Sequence, residues 1–266
     1  MSASLQLPGL MVLLINLDRS TQRRAQMVQR LNNIGLGYQV LSAIDGSALC
    51  EQLMPTVDAD AFRWHTGRGI LPGEIGCYHS HLKAWQQLLD SPCQVLLVLE
   101  DDMVFKPDFA QALVTSLRGA EHWDILKLAK IRAKQPVRQG FLGDYSLNAY
   151  IGAATGFGAY LIHRTTAQRL LPQMLPIRAP IDRELERVHR YDIRHFGLEP
   201  FPCQAHDEGV STITGENFSK VTRPPLRQRW TKYAEQTRNL FARLLYLARR
   251  GRLFAASTHL PLKEHA

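Results

Sequence analysis

The sequence predicts an α/β fold, a Rossmann-like, mainly parallel sheet flanked by helices, with a basic amphipathic helix at the C-terminus. Three observations predict it. Residues 95–99, Val-Leu-Leu-Val-Leu, form an unbroken apolar run, which reads as a strand buried on both faces, as in a sheet covered by helices. Residues 10–43 give strand, helix and strand patterns in succession, which is a βαβ unit. The last 40 or so residues repeat apolar side chains at helical spacing amid Lys and Arg, roughly the signature of an amphipathic surface helix.

Taken in order, residues 10–16 form the first strand, followed by a helix over 21–34 that Asp18 or Ser20 caps and Gly35 stops. Residues 38–43 make the second strand, before an Asp45-Gly46 turn. This unit sets Asn16, Asp18, Arg19 and Arg23 at the carboxyl rim of the first strand. Arg19 and Arg23 either meet a nucleotide there or serve as capping and surface charge. Residues 49–69 show no sustained period and read as a loop with short helical pieces. Ile75, Tyr78, Leu82, Trp85 and Leu88 recur at helical spacing, so a helix covers 73–89. Its Gly73 and Gly76 permit close approach of a ligand or a neighbouring strand. Cys77 and His81 share one face of that helix while His79 points elsewhere, so a Cys-His-His metal site is not expected.

The 95–99 strand stops on Glu100-Asp101-Asp102. Ligands bind at the carboxyl ends of strands in open α/β sheets, and adjacent acids repel unless a cation or a set of donors offsets them. From the triplet alone, a cation site and a loop of solvated acids are equally good readings. Beyond it, 103–105 continue extended, a helix runs from 108 to 117, and 123–128 make another strand. Residues 131–148 are basic and read as a mobile loop. Residues 150–162 are apolar and glycine-rich; Gly156 and Gly158 supply only the start of a dinucleotide fingerprint, so a Rossmann cofactor site is excluded. A helix over 165–171 stops at Pro172. Asp182 reads as the N-cap of a helix through Arg187, residues 196–202 are extended, and His206-Asp207-Glu208-Gly209 opens a polar turn.

Composition narrows the function classes. The 266 residues, 45 % hydrophobic and 21 % charged, suit a globular domain. Cys50, Cys77, Cys93 and Cys203 have neither zinc nor disulfide spacing, which fits reduced thiols in a cytoplasmic protein. The 10–15 run lacks the flanks of a signal peptide, and nothing approaches the roughly 18 apolar residues of a membrane span. Net charge is +8, but residues 219–266 hold 11 Lys or Arg against two acids, whereas 1–218 hold 21 against 22. The excess is a tail property, and no nucleic-acid reader motif accompanies it. The chain therefore divides at 218 into a globular domain, 1–218, and a basic tail, 219–266. Leu226, Trp230, Tyr233, Thr237, Leu240, Phe241, Leu244 and Ala248 fall on one stripe of the tail, with the charges largely off it. That stripe either meets an anionic inner-membrane surface or packs on the domain.

Several stretches together resemble glycosyltransferase family 25, the lipopolysaccharide and lipooligosaccharide galactosyltransferase-like group. They are Ile15 to Ser20 with Arg23 and Ala43 to Gly46; Gly73 to Cys77 with Ser80-His81; and Leu99 to Asp102. Thr155-Gly156 with Ala159 to Ile162, Pro180 to Asp182, and Ser211 to Ile213 look similar to later blocks. The resemblance covers residues 10–215 and leaves out the tail. It implies a GT-A type fold, a UDP-sugar donor such as UDP-galactose, and inverting, probable β-galactosyl transfer to a saccharide of a lipid-linked glycan. Within it the acidic triplet looks like a DxD counterpart. Asp102 would ligate Mn²⁺ or Mg²⁺ directly, with Asp101 or Glu100 on the metal's waters or the ribose; His206 is either a further ligand or, the better reading, a surface-turn histidine. Asp182 is the candidate general base, with Glu208 and then Asp207 in reserve. Glu74, Ser80 and His81 would line the donor side or, alternatively, pack helix on sheet. Competing functions are a metal-dependent nucleotidyltransferase and a noncatalytic membrane or nucleic-acid binding protein.

Overall fold

The computed structural model describes residues 5–206 and 230–264. Strand β1 (Leu10–Asn16), helix α1 (Thr21–Asn33) and β2 (Gln39–Ser42) form the opening unit. Short helices α2 (Cys50–Leu53) and α3 (Ala59–Thr66) precede the long α4 (Pro72–Leu89). Then come β3 (Val95–Glu100), β4 (Met103–Phe105), α5 (Phe109–Arg118) and β5 (Ile125–Lys127). The strands β6 (Pro136–Leu142), β7 (Tyr145–Tyr150) and β8 (Ala159–His163) follow. Three helices, α6 (Arg164–Leu170), α7 (Ile181–Leu185) and α8 (Val188–Tyr191), lead to β9 (His195–Glu199) and β10 (Cys203–Ala205). Helix α9 (Trp230–Arg249) closes the described chain. None of the described helices is long and apolar enough to cross a membrane.

Eight strands form one mixed sheet in the order β2-β1-β3-β8-β5-β9-β7-β6, while β10 pairs with β4 in a separate ribbon. β8 and β7 run against the other six, so most strands share one direction. Both faces are covered. Leu13 and Ile15 of β1 and Leu96 and Val98 of β3 pack with Ile75, Tyr78 and Trp85 of α4. Their neighbours Val12, Leu14, Leu97 and Leu99 pack on the other side with Met27 and Leu31 of α1 and Phe109 and Leu113 of α5. A strand needs no polar alternation when neither face meets water, which is why the 95–99 run is continuous.

Four local expectations differ from what the chain does. Residues 136–150 are not a mobile loop but the antiparallel hairpin β6–β7, turning at Gly143-Asp144 with Gly143 at φ +56° and a bulge between Arg138 and Gly140. Buried Val137, Leu142, Tyr145 and Leu147 carry its inward pattern, and the bulge breaks their spacing within the basic sequence. Ser20 does take the N-cap position of α1, but without a side-chain bond, and Asp18 instead accepts from Ser42 Oγ at 2.6 Å. Asp182 is not an N-cap: Pro180 is, and Asp182 lies inside α7. Gly76 faces neither a ligand nor a strand, because a Cβ there would collide with Ile44 O and Gly46 N of the loop after β2.

That contact ties the loop to α4. Ser80 Oγ accepts from Ile44 N at 2.8 Å while donating to Gly76 O at 2.7 Å, so the two backbones approach as closely as glycine allows. Gly76→Ala should lower the melting temperature by roughly 4–8 °C, from an overpacking penalty of about 1–3 kcal/mol. Gly69→Ala, whose Cβ would meet nothing within 4 Å, should change it by less than about 2 °C in the same thermal melt.

Candidate active site

The parallel register of β1 on β3 sets Ile15 beside Glu100, so Asn16 reaches the turn that follows. There Asn16 Nδ2 donates to Asp101 Oδ2 at 2.7 Å and Arg23 Nη1 to Asp101 Oδ1 at 3.3 Å. Asp101 is thus held by donors from the first βα unit. Asp102 is not: its buried Oδ1 has no hydrogen-bond partner among the described residues. Burial, with Glu100 and Asp101 adding repulsion, pushes its carboxyl up to about 7. The pairing of β10 with β4 brings His206 alongside, where its N–H donates to Asp102 O at 2.7 Å. An orphaned buried oxygen beside a second carboxylate fits a hard divalent cation, with Asp102 and Glu100 as the residues that could hold it. Asp101, already bonded at both oxygens, fits that role less well than the sequence suggested.

Glu100 is oriented from below by a chain of aromatic and imidazole groups. Trp85 Nε1 donates to Tyr160 Oη at 2.8 Å, and Tyr160 Oη lies 3.0 Å from His81 Nδ1. A carboxylate can only accept, so the His81–Glu100 bond puts a ring proton on Nε2, and the neutral ring's Nδ1 accepts from the tyrosine. His81 then carries its proton on Nε2 and donates it to Glu100 Oε1 at 3.3 Å. Ligand atoms of Cys77, His81 and Glu100 do lie within 4.8 Å of one another. With Nε2 protonated, His81 is a donor to Glu100 and not a metal ligand. His79 is elsewhere, its Nε2 2.8 Å from Thr56 Oγ1.

Asp182 is tied to the same region through the glycine-rich loop: it holds Gly156, two residues before Gly158, whose carbonyl accepts from Glu100 N at 2.7 Å. The Cys77 thiol is pushed up by burial and by the carboxylates of Glu100, Asp182, Glu74 and Asp102, which converge around it. Asp182 Oδ2 accepts from Gly156 N at 3.0 Å, where Gly156 has φ +93°, and Oδ1 accepts from Arg183 N at 2.8 Å. Glu186 Oε1 holds the same glycine-rich loop through Ala154 N at 2.6 Å. Lys127, at the carboxyl end of β5, is buried and donates to Ala154 O; burial brings it down to about 8 against the pull of Asp182 and Glu186. Lys127 was absent from the sequence-derived candidates. Its signal was a lone cation ending an apolar strand, in the position where the acids end β3. Glu208, Asp207 and Ser211 to Ile213 lie outside the described residues.

The remaining candidates also make structural contacts. Arg19 is paired with Asp45 of the loop after β2. Glu74 accepts Arg68 at 2.5 and 2.7 Å and Leu71 N at 3.0 Å, which closes the N-terminus of α4. Ser80 binds backbone at both of its bonds, as described above, so helix packing is what its geometry serves.

A family model described as glycosyltransferase family 25 (LPS biosynthesis protein) matches residues 10–185. The chain belongs to glycosyltransferase family 25. The match spans β1 to α7, so it contains Asn16, the acidic triplet and Asp182 but neither His206 nor α9. Procollagen galactosyltransferase 1 of Danio rerio is 25 % identical over 71 % of this chain and 35 % of its own length. A glycosyltransferase 25 family member of Anopheles gambiae is 30 % identical over 65 % of this chain and 31 % of its own. The probable inactive glycosyltransferase 25 family member 3 of Rattus norvegicus is 26 % identical over 71 % of this chain and 37 % of its own. The chain thus spans about a third of the length of these curated relatives. Since the family includes a member named inactive, family 25 chains must be judged by their own site residues.

For Asp102 the sign of the pH effect follows from its raised pKa. At pH 4 the carboxyl is neutral in the folded state and about half ionised in the unfolded chain, so only a small part of the burial penalty is felt, and below that pH it vanishes. As pH rises through 7 the unfolded carboxyl is ionised while the folded one is forced to follow, and the full penalty is present above 7. Asp102→Asn, assayed by thermal melts in chelator, should therefore raise the melting temperature by roughly 3–6 °C at pH 8 and by less than about 1 °C at pH 4.

Proposed function

We propose that the chain is an inverting, metal-dependent hexosyltransferase of GT-A type, which moves galactose from UDP-galactose in β-linkage to a saccharide hydroxyl of lipopolysaccharide or lipooligosaccharide. One observation carries the proposal: in a family 25 chain, Asp102 keeps a buried carboxylate oxygen without a partner among the described residues, beside Glu100, at the carboxyl end of β3. The galactosyl donor is supported by the names of the procollagen galactosyltransferases, and the acceptor class by the family's description as an LPS biosynthesis protein.

In a single displacement the acceptor oxygen forms the new bond to the anomeric carbon as the bond to the diphosphate oxygen breaks, and UDP departs with that electron pair. The acceptor proton must leave at the same time. Asp182 is the proposed base, because two backbone N–H groups fix its carboxylate at the glycine-rich loop that also meets Glu100. Such a base contributes about 10² to 10⁴ in rate. Mn²⁺ or Mg²⁺ held by Asp102 and Glu100 would supply positive charge against the diphosphate. His206 is the reserve ligand and Glu208 the reserve base. Asn16 and Arg23 hold Asp101 in place, and with Asp18 and Arg19 they make up the rim where the nucleotide would lie. His81 aims Glu100.

The test is UDP release from UDP-galactose with delipidated lipooligosaccharide, with and without Mn²⁺. Expected are strict dependence on the cation, a fall in kcat/KM of about a hundredfold or more in Asp102→Ala at unchanged circular dichroism, and a fall of about 10² to 10⁴ in kcat for Asp182→Asn. A fully active Asp102→Ala would overturn the cation assignment. Transfer to a procollagen peptide in place of the glycan would overturn the acceptor, and pyrophosphate release from a nucleoside triphosphate would overturn the reaction type.

A further inference from the structure

Helix α9 is docked the opposite way round from an ordinary surface helix, whose apolar stripe faces the core. Its inward side is largely polar: Leu247, 3 % exposed, and part of Tyr246 reach the core there, but the other buried side chains are ions. Buried Glu235 lies 3.1 Å from His65 Nδ1 and 3.5 Å from Arg187 Nη2. Buried Arg243 donates to Ile151 O at 3.1 Å and Gly152 O at 2.5 Å and lies 3.6 Å from Glu186. Tyr246 Oη donates to Asp192 at 2.8 Å. The outward side carries Trp230, Tyr233, Leu240, Phe241 and Leu245, with Trp230 60 % and Phe241 65 % exposed. Trp64 of α3, itself exposed, extends the patch by meeting Trp230 edge-on at 5.4 Å between centroids.

We infer that this outward face of α9 docks on an anionic lipid bilayer. At about 100° per residue, Trp230, Phe241 and Leu245 lie along the middle of the exposed face, Tyr233 and Leu240 form one shoulder, and Arg238 and Arg249 form the other. Arg238 has its side chain 72 % exposed. An apolar face with aromatic side chains and an arginine edge is the form of a helix that lies in a headgroup layer, each cation near an anionic surface adding about a fivefold preference. The 11 Lys or Arg against two acids in residues 219–266 give the whole segment the sign that an anionic surface attracts. That same charge disfavours a second copy as the occupant, since pairing α9 on α9 would bring two basic surfaces together. The inward side of the same helix holds the loop at residues 151–152, whose continuation meets Glu186 and Asp182, so a bilayer-bound α9 would set that wall at headgroup level. The inference does not depend on the sugar donor or on the cation.

The full chain is tested by co-sedimentation with vesicles of phosphatidylcholine alone and with about one third phosphatidylglycerol, and by tryptophan emission. Expected are binding to the anionic vesicles with a blue shift, weakened at high salt, and binding to neutral vesicles that is weaker by roughly tenfold or more. Phe241→Glu with Leu245→Glu should abolish binding at an unchanged melting temperature, because both side chains are exposed. Arg249→Ala should weaken anionic binding by about fivefold while leaving neutral binding unchanged. Equal binding of the Glu variants, no discrimination between the vesicles, or a dimer in light scattering that the Glu variants dissociate, without vesicle binding, would each overturn the inference.

Discussion

The candidate site depends on how a parallel strand pair distributes donors among three consecutive carboxylates. Because β1 and β3 run side by side in register, the residue after Ile15 lies beside the turn after Glu100, and among the described residues Asn16 and Arg23 are the side chains that bond Asp101. They satisfy Asp101 at both oxygens. Glu100 is met by His81 from α4. Among the described residues, Asp102 is left with a backbone contact through His206 and an unpartnered oxygen. Burial, with Coulomb repulsion from the neighbouring acids added to it, is a standing cost felt most by the group with fewest donors, which is why Asp102 is pushed up to about 7. A protein that needed only a turn here would have placed one acid or none.

The wall around the glycine-rich loop is built on other terms. Asp182 and Glu186 sit on or beside α7 and hold a glycine-rich loop through its backbone N–H groups, while Lys127 donates to a carbonyl of that loop from below. Arg243 of α9 braces the loop's first residues. Opposite charges in low dielectric attract strongly only when geometry and hydrogen bonds satisfy the remaining lone pairs. Here carboxylates, a lysine and an arginine share one loop between them. The wall is therefore rigid by mutual constraint, whereas the acidic turn is rigid by strand register.

Much of this was legible in the sequence because period and punctuation are local. The unbroken 95–99 run announced a strand covered on both faces, Gly35 ended α1 at φ +67°, and the acids after Leu99 marked the rim. Legibility failed where long-range contacts decide. A bulge at Arg138 and Gly140 hid the alternation of the β6–β7 hairpin, although Gly143-Asp144 was a readable turn. Asp182 resembled a helix cap because nothing local reveals that its partner is Gly156, 26 residues earlier. Lys127 and Arg243 looked like ordinary surface cations, and only the sheet order and the return of α9 bury them. The roles of Gly46 and Gly76 required knowing that the loop after β2 lies against α4.

The orientation of α9 shows how such a return is selected. Burying Trp230, Phe241 and Leu245 would gain roughly 1.5–3 kcal/mol for each aliphatic or aromatic side chain taken from water. Burying Glu235 and Arg243 instead requires desolvating two ions, a penalty of several kcal/mol each before pairing. The helix nevertheless turns its ions inward, where Glu235 is matched by His65, Arg187 and Arg238, and Arg243 by Glu186 and two carbonyls. Specific pairing recovers the desolvation cost, and the directional bonds fix the rotation of the helix about its axis, which an apolar stripe sliding on an apolar surface would not. The apolar face is then left outward by geometry, and its exposure is stable only to the extent that the polar side is correctly matched. Docking by charge on one side and apolar contact on the other gives the helix two surfaces with different chemistry, one specific to this domain and one suited to any fluid anionic interface.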